Sequence, residues 1–133
     1  MADEPLSILD KGSYLLVEFF GEFSAAAGKR CVDTMVAACE QHGRSKVLLD
    51  CRRMTGNMAI TARFEVAEYG ASKRDRLRRF ALLGREDMVL PDNFVENVAV
   101  NRGMIMKIFT DFDEAEAWLT VSSPVDAAVT NGI

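Results

Sequence analysis

Hydrophobic positions in this chain follow two rhythms in turn. Short apolar runs alternate with stripes that recur roughly every three to four residues, the spacings of strands and of one-faced helices. Leu6 to Leu9 and Tyr14-Leu15-Leu16-Val17-Glu18-Phe19-Phe20 are the first two runs, and Asp10 to Ser13 between them holds the Gly and polar residues of a hairpin turn. Ser24 can cap a helix, because its hydroxyl accepts from a backbone N–H left unpaired at a helix start. Gly28, Cys31, Val32, Met35, Val36 and Cys39 then share one stripe, with Lys29, Arg30, Asp33, Glu40 and Gln41 opposite and Gly43 as the left-handed stop.

Val47-Leu48-Leu49 is a continuous apolar run ending in Asp50, the signature of a strand covered on both faces. A loop from Cys51 to Met58 follows, with Gly56-Asn57 as its turn signal. The next helix begins near Ile60 or Thr61, with Phe64, Ala67 and Ala71 inward and Arg63, Glu65 and Glu68 outward. Arg79-Phe80-Ala81-Leu82-Leu83-Gly84 is a strand, and Pro91-Asp92 opens a helix with Phe94, Val95, Val98 and Ala99 inward and Gly103 at its close. Met104 to Phe109 is the last strand. Asp111 and Glu114 form an acidic capping box for a last helix that buries Phe112, Ala115, Trp118 and Leu119.

The order is thus β-β-α-β-α-β-α-β-α. Such alternation predicts an α/β fold with a mixed, mainly parallel sheet, an antiparallel edge strand from the opening hairpin, and helices packed on the sheet. One domain over residues 1–120 is expected. Residues 121–133 lose periodicity and gain Ser, Pro, Gly and Asn, so they read as a flexible tail.

Composition narrows the function classes. With 16 basic and 20 acidic residues the net charge is −4, which disfavours a nucleic-acid partner that must displace counterions. The three cysteines, Cys31, Cys39 and Cys51, form no CxxC pair and the chain has one His, so neither a disulfide frame, a metal site nor a cofactor is expected. Free thiols fit a reducing compartment and hence the cytoplasm. The start, Met1 to Pro5, carries acids without an apolar run, and no stretch reaches the length of a membrane span.

Three stretches carry a family likeness: the strand Lys46-Val47-Leu48-Leu49-Asp50 with its loop, the strand Arg78 to Gly84, and the closing segment Phe109 to Leu119. Over residues 6–120 the chain resembles the SpoIIAA-like group, which includes STAS domains and STAS/Sec14-like bacterial proteins. The resemblance implies a regulatory binding domain. In anti-sigma-factor antagonists of this group an Asp-Ser-Ser-Gly-like sequence follows the central strand, and its Ser is phosphorylated by a partner kinase. The corresponding stretch here is Met58-Ala59-Ile60-Thr61, where Thr61 is the sole hydroxyl and so the sole candidate phosphosite at the helix start. The branch lacking that Ser is the nearer likeness.

In an open α/β sheet, ligands gather at the carboxyl ends of the parallel strands. This rule selects the loops Gly21–Ser24, Asp50–Ile60, Gly84–Pro91 and Thr110–Asp111. Asp50, Arg52, Arg53, Met54, Met58 and Thr61 are the candidate ligand- or partner-binding residues there. Two guanidinium groups can grip an anion, and the two Met side chains adapt to varied apolar partners; the bland alternative is a turn-forming Asp50, solvated arginines and ordinary packing. Lys73 to Arg79 holds five basic residues in seven, a candidate anion patch that reads more simply as a helix end leading into a strand with solvated flanks. Cys51 beside Asp50 is the one candidate nucleophile, but no base accompanies it, since His42 sits at the end of the first helix. The expectation is a non-enzymatic module that binds a protein partner or a small apolar or anionic ligand, with a homodimer compatible. The alternatives are a phospho-regulated anti-sigma-factor antagonist using Thr61 or Thr55, and an enzyme using Cys51.

Overall fold

The structure is a computed structural model that describes residues 6–56, 59–88 and 94–120. Five strands form one sheet in the order β1 (Leu6–Asp10), β2 (Leu15–Phe19), β3 (Lys46–Asp50), β4 (Arg79–Leu83) and β5 (Met106–Phe109). Only the β1–β2 pair is antiparallel; the other three pairs are parallel. The hairpin closes as Gly12 takes φ 98° and its N–H donates to the Asp10 carboxylate at 2.9 Å. Pro91 and Asp92, read as the start of the third helix, and residues 121–133, read as a tail, lie outside the described residues.

Because each parallel strand is laid beside the last in one direction, right-handed crossovers put every connecting helix on the same face. Helices α1 (Ala25–His42), α2 (Ile60–Ala71) and α3 (Phe94–Asn101) make those connections, and α4 (Phe112–Thr120) returns along β3, β4 and β5. The strands divide accordingly. Leu15, Val17, Phe19, Val47, Leu49, Phe80 and Met106 pack with α1 and α3, while Leu48, Ala81, Leu83 and Phe109 pack with α4. Val47-Leu48-Leu49 is therefore apolar throughout because both its faces are covered.

The predicted caps of α1 form, and that of α4 forms in part. Ser24 Oγ accepts from Ala27 N–H at 3.0 Å, and Gly43 ends α1 at φ 68°. Asp111 Oδ2 accepts from Glu114 N–H at 2.9 Å, while the Glu114 carboxylate makes no return bond, so half of the capping box is present.

Three readings need correction. Trp118 packs inward against Phe109, centroids 5.6 Å apart, but is half-buried rather than buried, because the buried side of α4 is held by Ala115 and Leu119. Arg79 is not solvated: at 8% exposure it lies beneath Trp118, its guanidinium carbon 4.0 Å from the ring, and its Nε and Nη2 donate to the Trp118 carbonyl. Arg63 does not point outward. It is half-buried, and its Nη1 donates to the Met88 carbonyl at 2.7 Å.

Candidate functional site

The loops at the carboxyl ends of β2, β3 and β4 are tied together through their backbones. Phe23 N–H donates to the Thr55 carbonyl at 2.9 Å and Thr55 N–H to the Gly21 carbonyl at 3.0 Å. From the other side, Arg85 Nη1 donates to the carbonyls of Arg52 and Met54, at 2.6 and 3.2 Å. The β3–α2 loop is thereby fixed over the end of the sheet.

Beneath it lies a cavity of about 230 Å³, larger than the roughly 150 Å³ that admits benzene in an engineered apolar void. Its origin is the way α2 is carried. This helix packs chiefly on α1 and α3 and stands over the sheet as a roof. Gly28 permits the close approach of α1 and α2, since a Cβ there would sit 2.7 Å from Val66 Cγ2. Val66, Ala67 and Gly70 of α2 face a floor made by Leu49, Leu82 and Ile108, with Phe19, Phe23, Cys31 and Val32 as one wall and Met88, Val95 and Ala99 as another. Such a void forfeits packing contacts that protein interiors normally keep. The lining reaches the surface at Gly56, Arg85 and Asp87, which are exposed.

The candidate residues fall into separate environments. Asp50 is 6% exposed, and its carboxylate is consumed locally: Oδ1 accepts from the Arg52 N–H and Nε, and Oδ2 from Arg52 Nη2 at 2.9 Å. Arg53 is exposed, stacked 5.6 Å from the Phe20 ring centroid with Glu18 at 3.5 Å. Met54 is buried in the cavity wall. Thr61 is exposed in the first turn of α2, behind the N-cap residue Ala59, which supplies no side-chain cap. Its neighbour Ile60 is 56% exposed, so the helix start beside Thr61 presents an apolar side chain at the surface. Met58 lies outside the described residues.

Cys51 is buried in the same wall. Burial pushes its thiol well above the usual range, with the nearby Cys31 thiol and the Asp50 carboxylate adding to the shift. The one His is remote. His42 pairs with Asp10, 3.4 Å away, and Asp10 stands opposite Leu15 at the amino end of the parallel strands, whereas Cys51 follows the carboxyl end of β3. Among the described residues no group of three His, Cys, Asp or Glu side chains is arranged to hold a metal ion, and no helix is long and apolar enough to cross a membrane.

The sequence profile of the SpoIIAA-like family matches residues 14–120. The chain belongs to the SpoIIAA-like family. Solved structures with the SpoIIAA-like fold superpose on the chain. An anti-sigma factor antagonist from Mycobacterium paratuberculosis superposes with a TM-score of 0.58 at 11% identity, covering 90% of this chain and 98% of that one. An uncharacterised protein from Shewanella loihica gives 0.55 at 18% identity over 86% and 91%, and the anti-sigma factor antagonist SpoIIAA, in its unphosphorylated form, gives 0.53 at 14% over 87% and 99%. At these identities the likeness is one of fold. No curated protein sequence matches the chain.

Within this SpoIIAA-like fold, the residues that sequence reasoning passed over are those of the roof: Arg63, Val66 and Gly70 of α2, and Gly28 opposite them. Their signal was the spacing of Arg63, Val66, Ala67 and Gly70 along one helical face, where Ala67 and Gly70 leave space rather than fill it.

Proposed function

We propose that this SpoIIAA-like chain is a non-enzymatic binding module that takes a small apolar ligand into the cavity beneath α2. The strand-end loops are then the surface through which occupancy is communicated to a protein partner. The single observation that supports this reading is the 230 Å³ apolar cavity that ends at those loops. Members of the family are typically regulatory rather than catalytic, and the buried, base-free Cys51 has neither the thiolate character nor the partner that nucleophilic catalysis needs. The three cysteines are buried and none is in a disulfide, in keeping with a reducing, cytoplasmic setting.

Native mass spectrometry of freshly purified protein tests this reading and reports oligomeric state in the same spectrum. The expected result is a retained small apolar adduct, or one formed on adding 1-decanol. A bare mass under both conditions overturns it.

A second reading, the phospho-regulated antagonist, draws on one observation. Among the described residues no side chain caps the start of α2, and Thr61 stands exposed in its first turn, where a phosphate would be favourably placed. Intact mass and peptide mapping of protein from its own host decide it. Stoichiometric phosphate on Thr61 would establish this switch, and its absence removes it.

A further inference from the structure

We propose that Arg63 makes the cavity selective for a single-chain amphiphile that ends in a carboxylate. The inference rests on the cavity being a ligand site, and it names the class of ligand. Arg63 lines the cavity in the first turn of α2. Its Nη1 is committed to the Met88 carbonyl, while its Nε is buried with no hydrogen-bond acceptor among the described residues. Buried donors without acceptors are rare in folded proteins because water has been stripped from them with nothing in return. A donor of this kind on a charged group, inside a void, is the mark of an acceptor that arrives with the ligand.

The neighbouring cations are already answered. Arg85 pairs with Asp87 at 3.1 Å and Arg52 with Asp50 at 2.9 Å. Arg63 makes no ion pair among the described residues, so the described lining has one cation in surplus. With Nη1 occupied, the edge that remains is Nε–Nη2. Its two parallel N–H groups match the two oxygens of a carboxylate, the planar fork-to-fork pairing that guanidinium favours. A single surplus charge suits a monoanion. A phosphate monoester carries about −1.5 to −2 and would bring charge that this lining leaves unbalanced. Phe19, Val32, Val66, Leu82 and Ile108 offer apolar surface for the body of the ligand.

The test is calorimetric titration of the full chain at pH 8 with octanoate, decanoate, 1-decanol and decyl phosphate. It is repeated on Arg63→Met, which keeps a helix-forming apolar stem, and on Arg63→Lys. Wild type should bind decanoate about tenfold or more tighter than 1-decanol, the scale of a charge-assisted hydrogen bond. It should bind decanoate about tenfold tighter than octanoate, from two further buried methylenes, and decyl phosphate no tighter than decanoate. Arg63→Met should lose the preference for decanoate over 1-decanol, and Arg63→Lys should retain part of it. Equal affinity of wild type for decanoate and 1-decanol, or a preference that survives in Arg63→Met, overturns the role of Arg63 and leaves the apolar site standing. A clear preference for decyl phosphate overturns the carboxylate. If neither decanoate nor 1-decanol binds wild type, the cavity reading falls, and this inference with it. Should Arg63→Met fail to fold, the wild-type comparison of decanoate with 1-decanol decides alone.

Discussion

Arg79 and Trp118 close the α4 face of the sheet as one unit: the guanidinium lies against the indole, its carbon 4.0 Å from the ring centroid, and donates twice to the Trp118 backbone carbonyl. The cation thus satisfies a carbonyl in the last turn of α4, where positive charge also suits the helix dipole. Removing the ring uncovers Arg79 but leaves the Ala115 and Leu119 packing in place. Trp118→Ala should therefore cost about 1–3 kcal/mol, below the range for a fully buried aromatic. Arg79→Lys should cost about 1–2 kcal/mol, because one ammonium cannot reproduce the stacked, two-pronged contact. Urea midpoints at unchanged slope measure both. A loss above 4 kcal/mol for Trp118→Ala would mean that the indole is a core residue.

Gly28→Ala sets two effects against each other. Alanine is favoured over glycine inside a helix by up to about 1 kcal/mol, while its Cβ would press on Val66 Cγ2 at 2.7 Å and on Phe23 Cε1 at 3.0 Å. Val66 borders the cavity and can yield into it. Stability should change by less than about 1 kcal/mol, and affinity for 1-decanol should fall as the space shrinks. A variant that loses several kcal/mol would show that the roof cannot shift.

The buried thiols predict alkaline sensitivity. The ordinary thiol value is 9.0; burial pushes Cys39 up to about 11 and Cys51 higher, and Tyr14 is raised by burial and by donating to Glu116. The folded state holds these protons more tightly than the unfolded state does. Their contribution is therefore fully present below pH 9 and is lost as pH rises from 9 through 11 and beyond. Urea midpoints should be flat from pH 7 to 8.5 and fall by pH 10. Iodoacetamide at pH 7.5 should label Cys51 far more slowly than free cysteine; fast, selective labelling would revive a catalytic thiol.

At the α2 start, Thr61→Ala and Thr61→Glu should both fold, with stabilities within about 1 kcal/mol of wild type, since an exposed acid in the first turn gains only the modest dipole term. Chemical denaturation checks this. A Thr61→Glu chain destabilised by several kcal/mol would place Thr61 in a packed environment.

The strands and the faces of α1 and α4 were legible because their apolar residues fill space, so period and burial coincide. The stripe of Cys31, Val32, Met35 and Cys39 is such a case. The face of α2 was harder to read. It rests on α1 and α3 rather than on the sheet, and Ala67 and Gly70, which it presents to the cavity, are small. Arg63 passes in a sequence for one more solvated cation, because its burial depends on Met88, 25 positions away. Arg79 hides in a basic run for the same reason, its partner lying 39 positions later. The strand-end rule led to the loops around Asp50 and Met54, which wall and cover the cavity. The void itself arises from how three helices meet, and its one local trace is the small Ala67 and Gly70 on a single face of α2.

The most direct measurement is 1-decanol binding by calorimetry to wild type and to Ala67→Phe, whose ring is directed at the void from the middle of the roof. If the cavity is the ligand site, the variant should fold, melt at or above the wild-type temperature as the void fills, and lose decanol binding at least tenfold, a change of about 1.4 kcal/mol. A folded Ala67→Phe chain that binds 1-decanol as tightly as wild type would contradict the account.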